Sequence, residues 1–413
     1  MNTIYADNNA TTQVAPEVLD AMLPFFKDQY FNPSSMYEPA RQVAHAVAES
    51  REQIARHLGG VDPKEILFTS CATESNNAAI QGVVDANPRR RHIVTTSVEH
   101  PAVREVCKDL ARRGCDITFL PVDVQGNLDT GEFIRALRPD TLLVTIMHAN
   151  NETGVIFPVE QLARITKETD PQIVFHTDAT QSVGKLPIDL KGDFKNVDLL
   201  SFSGHKLHAP KGVGSLFIRR GTPLRPFLIG GHQESGRRAG TENVALVVGM
   251  ARALSLAVER HDEDNAKLLG LRDRLEARLS ERIRYMQING HSAPRLPNTS
   301  NLSCHFIEGE GMLFELSAAG ICASSGSACT SGSLEPSHVL LALKVPFTAV
   351  HGSIRFSLSR YNTEEEIDRI VEVFPQIVQR LRHASPYWNA ATNTPRADME
   401  SLVGPHGPKL AEG

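Results

Sequence analysis

The sequence has no apolar run approaching the about 20 residues that cross a bilayer, which removes a membrane-spanning role. It also lacks a basic excess. A formal net charge of −5 leaves no electrostatic footing for nucleic acid. The opening stretch MNTIYADNNATTQ has neither the basic patch nor the apolar core of a secretion signal, so a cytoplasmic location is expected. No internal repeat is present. The six cysteines (Cys71, Cys107, Cys115, Cys304, Cys322 and Cys329) form no CxxC pair, and their spacing matches no strong metal signature; no metal site is expected. In a reducing compartment most are expected as free thiols. Cys107, Cys115, Cys304 and Cys322 read as small buried hydrophobes.

What is present is an ordinary globular composition, 41% hydrophobic and 22% charged, over 413 residues, a length that predicts two or three domains. Between about residues 35 and 260, helical and strand-like stretches alternate. Residues 35–58 predict a helix stopped by Gly59-Gly60. The short apolar, β-branched runs at 65–70, 92–98, 141–147, 173–178, 197–203 and 213–218 predict strands buried on both faces of a mostly parallel sheet, an α/β architecture. Residues 242–285 read as helical throughout. Farther on, 299–306 and 353–359 predict strands, and 363–382 an amphipathic helix with an acidic first turn. The expected division is a large domain over 13–260 and a smaller α+β domain made of 1–12 plus 261–384. Residues 385–413, polar and rich in Pro and Gly, are expected to be a flexible tail.

An open parallel sheet binds ligands beyond the carboxyl ends of its strands. After 65–70 comes CATESNNAAI, a helix N-terminus suited to a phosphate. After 92–98 come Glu99, His100 and Pro101; after 141–147, HANNETG; after 173–178, Asp178 and then Gln181; after 197–203, Ser203, Gly204, His205 and Lys206. Each alone has a blander reading: a packed histidine, a helix-capping aspartate, a solvated lysine. Together they supply a phosphate cradle, a flat aromatic, a carboxylate and a lysine at one sheet edge, the set that pyridoxal phosphate requires. A further oddity is SSGSACTSGS at 324–333, where Cys329 sits among Ser and Gly with no bulky apolar neighbour. That composition predicts a mobile loop carrying an exposed thiol.

The stretches FHTDATQSVGK, SFSGHKLHAPKGVG, DNNATT, NPSS, VEHPAV, ANNETG, GGHQESGRRAGTEN, SSGSACTSGSLEPSHV and IRFSLSRYNTEEEID, in this order along nearly the whole chain apart from the first two, resemble the cysteine desulfurases of the class-V aminotransferase group. The long cysteine loop, LHAPKG and SPYW are most similar to the nitrogen-fixation type. The resemblance implies a fold-type-I pyridoxal-phosphate-dependent transferase. It implies Lys206 as the Schiff-base lysine, Asp178 as partner of the pyridinium nitrogen, His100 stacked on the ring and available as acid/base, and Gln181 as donor to the ring oxygen. Ala72 and Thr73, with Ser203, Gly204 and His205, match the phosphate side of the site. Thr241 matches a phosphate contact from a second subunit, hence a homodimer. Asn151 and Arg355 match residues that hold the substrate, and Cys329 matches the nucleophile that becomes a persulfide. Cys71, in TSCATES, stands where many of the group carry Gly and reads as a small side chain beside the phosphate loop. The implied reaction converts L-cysteine to L-alanine and hands sulfur to an iron–sulfur scaffold protein, in nitrogenase maturation or in housekeeping cluster assembly. A selenocysteine lyase or another class-V pyridoxal-phosphate enzyme is the alternative, and a catalytically silent sulfur carrier on the same fold a more distant one.

Overall fold

The computed structural model describes residues 3–325, 336–397 and 399. Cys329 and residues 326–333 of the Ser/Gly loop lie outside the described residues.

Seven strands make the main sheet: β1 (Ile66–Thr69), β2 (His92–Thr96), β3 (Asp116–Leu120), β4 (Thr141–Thr145), β5 (Val174–Asp178), β6 (Leu199–Ser203) and β7 (Gly214–Ile218). Their order is β1-β7-β6-β5-β4-β2-β3. All pairs are parallel except those made by β7, which runs antiparallel to both β1 and β6. Every residue of the strands other than β3 is buried, which is why they read as continuous apolar runs rather than as alternating ones. β3 has no such run. It is the edge strand DITFL, partly exposed along most of its length, and the sequence signal passed over it.

Side chains leave the two faces of the sheet in turn. Ile66 and Phe68 join one apolar cluster with Val144, Phe175 and Phe202, covered by α1 (Glu38–His57) and α4 (Val244–Glu259). Leu67, Leu143 and Leu199 join the opposite cluster, covered by α2 (Ala72–Ala86) and α3 (Pro101–Arg112). α1 stops where Gly59 and Gly60 take positive φ. The expected helical stretch 242–285 is two helices, with Arg260 between α4 and α5 (His261–Arg282).

A second, antiparallel sheet runs β10-β11-β9-β8, from β8 (Met286–Ile288), β9 (Thr299–Cys304), β10 (Ser324–Ser325) and β11 (Ser353–Ser357). α5 and α6 (Glu364–Ala384) close it over a core that includes Leu275, Leu302, Phe356, Ile370 and Phe374. Thr363 and Glu366 form a capping box at the start of α6. The amino terminus joins this core: Ile4 and Tyr5 pair with Ile321 and Cys322, and Ile4 and Ala6 are part of its apolar cluster. Residues 339–350 lie within the stretch assigned to the smaller unit, yet Val339, Leu340, Leu343 and Val350 pack into the core of the large sheet. Cys107, Cys115 and Cys304 are buried; Cys322, on a two-residue strand, is only half-buried.

The stretch from 385 begins as structure rather than as a tail. Trp388–Asn389 and Thr394–Pro395 form an antiparallel hairpin. Trp388 is 4% exposed, with the Arg382 guanidinium 4.7 Å from its ring centroid and Tyr285 and Phe306 packed around it. One large aromatic surface, removed from water, holds a segment whose polar composition signalled disorder. Trp388→Ala is therefore expected to cost about 3 kcal/mol in urea unfolding. An unchanged midpoint would show that the hairpin contributes nothing to the fold.

Candidate active site

The carboxyl ends of the parallel strands open on a cavity of about 310 Å³. Ala72, Thr73, His100, Asn151, Asp178, Gln181, Ser203, His205, Lys206 and Arg355 all line it. Gly204 is buried in the turn that presents Lys206; a Cβ there would come within 2.9 Å of Val213, so the turn needs a glycine. Thr241 is exposed and is not part of the lining.

β1 leads through Cys71 into α2, and Cys71 makes no side-chain cap. The first-turn amides of α2 have no acceptor within the helix, and Ala72 and Thr73 bring that positive end to the cavity wall. β7 crosses directly behind. A Cβ on Gly214 would lie 2.6 Å from the Cys71 backbone, so glycine is what lets the strand approach.

Asp178 ends β5 and is held at both oxygens. Asn76 Nδ2 donates to Oδ2 at 2.7 Å, and the Thr180 amide donates to Oδ1 at 2.9 Å. His100 caps α3, where its Nδ1 accepts the Ala102 amide at 3.1 Å. The neutral ring therefore carries its proton on Nε2. Burial holds this histidine below its usual pKa; Lys206 adds to that, and Asp178 opposes it. His205 is pushed down to about 4, mainly by burial, and its Nδ1 lies 3.2 Å from the Thr11 hydroxyl.

Lys206 Nζ donates to the carbonyls of Asn9 and Ala10 at 2.6 and 2.7 Å. Gln181 Nε2 donates to the same Asn9 carbonyl at 3.1 Å. Arg355, on β11 and 4% exposed, reaches over from the second sheet. Its guanidinium pairs with Asp7 at 2.7 Å and donates to the Asn151 carbonyl at 2.9 Å. The amino-terminal residues 7–10 are thus the floor between the two sheets, a role the sequence reading did not give them. Asn76 was also missed. It follows Ala72 by four positions on α2, a spacing that puts both on one helix face and was the available signal.

Among the described residues, four buried atoms of the cavity lining have no protein hydrogen-bond partner: Asn76 Oδ1, Thr180 Oγ1, Gln181 Oε1 and Arg355 Nε. Unpartnered buried polar atoms are costly and uncommon. Their concentration here marks a cavity shaped for a polar ligand with hydrogen-bonding groups on several sides. The chemistry on offer is an anion site at a helix end, an oriented carboxylate, a neutral imidazole, an amine and a guanidinium.

Beneath the cavity, Glu99 is wholly buried and accepts from Thr96 Oγ1 and the Met147 amide, while its Oε2 has no partner. Burial raises its pKa to about 8. Between the unfolded value near 4.5 and about 8 the folded chain holds a proton that the unfolded chain has lost. Stability must therefore fall as pH rises through that window. Glu99→Gln copies the protonated acid. Its melting temperature is expected to match wild type near pH 5 and to exceed it increasingly toward pH 8. Parallel curves would place the proton elsewhere.

A family model described as aminotransferase class-V matches residues 4–370. The chain is 52% identical over 403 residues to a cysteine desulfurase of Trichormus azollae, covering 98% of this chain and all of that one. It is 50% identical over 405 residues to the cysteine desulfurase NifS of Azotobacter vinelandii, covering 98% and 99%. Among solved structures, one described as a NifS-like protein superposes with a TM-score of 0.86 at 40% identity, over 92% of this chain and 100% of that one. Another, described as SspA in complex with cysteine, gives 0.76 at 35% identity, over 87% and 100%. Cavity, fold and relatives agree, and the chain belongs to the class-V aminotransferase family.

Proposed function

We propose that this protein is a cysteine desulfurase that uses pyridoxal 5′-phosphate to convert L-cysteine to L-alanine and transfers the sulfur to its own Cys329. The observation that carries the reading is the cavity itself: an anion-binding helix end, Asp178, Lys206 and four unpartnered buried polar atoms around one space. That donor set fits the cofactor. The α2 amides at Ala72 and Thr73, with Ser203 and His205, would hold its phosphate. Asp178, already oriented by Asn76 and Thr180, would face the ring nitrogen, His100 the ring and Gln181 the ring oxygen, with Lys206 as the covalent attachment. When bound, pyridoxal phosphate supplies a carbonyl for the substrate amine and a ring that accepts the electron pair left at the α-carbon.

The protein's own groups do the rest. Arg355 offers a fork to the substrate carboxylate, which competes with Asp7 for it; Asn151 shares the subsite. Lys206, once its amine is released, takes the α-proton, and His100 holds a proton at Nε2 to give or exchange. Cys329 must act as the thiolate. It attacks the substrate sulfur; an S–S bond forms, the Cβ–S bond breaks, and its electron pair stays on Cβ, which takes a proton, and Lys206 returns the α-proton to give alanine. The persulfide left on Cys329 is then open to attack by an acceptor thiol.

The proposal extends to a homodimer in which Thr241, exposed and outside its own cavity, serves the second subunit's phosphate site. It extends also to the division into 13–260 and 1–12 plus 261–384, apart from residues 339–350, which pack with the large sheet, to a cytoplasmic location, and to an iron–sulfur scaffold protein as acceptor. Relatives named NifS favour a place in nitrogen fixation over housekeeping cluster assembly. Cys329→Ala is expected to abolish alanine and sulfide release from L-cysteine while the cofactor stays bound. Lys206→Ala is expected to lose the visible absorbance of a lysine-bound cofactor. Normal sulfide release in the first variant, or an unchanged spectrum in the second, would overturn the respective assignment.

A further inference from the structure

The stretch 230–243, which leads into α4 and carries Thr241, is exposed over much of its length, yet two of its side chains are driven into the body of the protein. Glu234 is buried. Its carboxylate takes both ends of the Arg51 guanidinium, from α1, at 2.6 and 2.8 Å, and accepts the Phe68 amide of β1 at 3.0 Å. Glu234 and Ser235 stand at φ 50° and 58°, a left-handed backbone that residues other than glycine keep only where the surroundings impose it. Farther along, Arg238 reaches the first turn of α2. Its Nε and Nη2 donate to Glu74 at 2.8 and 3.2 Å, with both side chains largely buried. The Gly240 amide donates to Gln233 Oε1 at 3.1 Å, closing the stretch that leads to Thr241.

Glu74 is an unexpected neighbour for a phosphate. It directly follows Thr73, in the turn that forms the anion-binding end of α2. A carboxylate there suits the helix dipole but repels a second anion held by the same turn. It is turned to other partners: Glu74 is not part of the cavity lining, its Oε2 accepts the Ser70 amide at 2.7 Å, and Arg238 engages both of its oxygens. Burial pushes the Glu74 pKa up, but the Arg238 fork and the Ser70 donors outweigh burial and hold it below its usual value, so the ion pair is intact at neutral pH. One bidentate pair, which fixes direction as well as distance, thus ties the phosphate turn of a subunit to a stretch whose Thr241 lies outside that subunit's own cavity.

We propose that Glu74 and Arg238 are positioning residues that link the two cofactor sites of the homodimer: their ion pair holds Thr241 of one subunit in place for the phosphate in the other subunit's cavity. This rests on the reading of Thr241 as a phosphate contact from the second subunit. Thr241 follows Arg238 by three residues, at most about 11 Å of chain, so a fixed guanidinium leaves it little freedom. Glu74 then has two effects of opposite sign. In its own subunit its charge works against the phosphate. Across the interface, through Arg238, it works for it.

The test titrates cofactor-free, full-length protein with pyridoxal phosphate and follows the absorbance of the lysine-bound cofactor. Glu74→Ala is expected to bind about tenfold more weakly, the loss of one aimed hydrogen bond to a charged group, although it removes a negative charge from the phosphate turn. Glu74→Gln, which keeps the shape and loses the charge, is expected to move the same way by less. Pyridoxal, which has no phosphate, is expected to bind both variants as it binds wild type. Glu74→Ala added to Thr241→Ala is expected to bind no more weakly than Thr241→Ala alone, because the two act through one contact. Mixed dimers with a single live site locate the effect. With Glu74→Ala and Lys206→Ala together in one subunit, the live site of the wild-type partner is expected to weaken about tenfold. With Glu74→Ala in the live subunit and Lys206→Ala alone in the other, affinity is expected to be undiminished. Unchanged or tighter binding by homodimeric Glu74→Ala, an equal loss for pyridoxal, or a loss confined to the subunit that carries the substitution would overturn the proposal. Wild-type affinity in Thr241→Ala would instead overturn the assignment of Thr241, and the inference with it.

Discussion

The backbone carbonyl of Asn9 is the point on which the site depends. It accepts from both Lys206 and Gln181, two residues that arrive on different strand ends of the large sheet. The same residue is pinned to the second sheet. Its amide donates to Ser357 Oγ, its side chain donates to Thr299 Oγ1 and to the Asn151 carbonyl, and it accepts from Asn298. Two positions earlier, Asp7 holds Arg355. A short amino-terminal turn, residues 7–10, therefore sets the distance between the lysine on one sheet and the guanidinium on the other. The polar atoms that do this are buried and paired, which makes the junction specific as well as costly to break.

The electrostatics of the site follow from burial more than from ion pairing. Five histidines lie at or near the strand ends, and burial drives His148, His176, His205 and His208 down to about 4 and His100 downward. The first four are neutral struts bonded to hydroxyls and carbonyls, such as His176 between Thr145 and Ser201, while His100 accepts the Ala102 amide. The charges that remain are few and directed: Asp178 beneath its two donors, Lys206 on two carbonyls, Arg355 against Asp7. In such surroundings one added charge acts strongly, because little else screens it.

The main sheet was legible because strands buried on both faces leave unbroken apolar runs, and the site was legible because parallel strands deliver their following residues to one edge. Ala72, Asp178 and Lys206 could be placed together on that topological ground alone. What escaped was set by long-range contact. β3 is an edge strand without an apolar run. β7 reads like its neighbours although it runs the other way, since a strand's direction leaves no mark in its composition. Asn9 acts through its backbone carbonyl, which every residue has, so no side-chain pattern could announce it. The hairpin at Trp388 depends on a single indole meeting the nearby Arg382 and, from far earlier in the chain, Tyr285 and Phe306.

The central claim is that one lysine, Lys206, carries the cofactor in this cavity. Borohydride reduction of the protein loaded with pyridoxal phosphate, followed by peptide mapping, measures this directly. The account predicts a single pyridoxyl group per chain, on the peptide containing Lys206. A pyridoxyl group on any other lysine, with Lys206 unmodified, would contradict it.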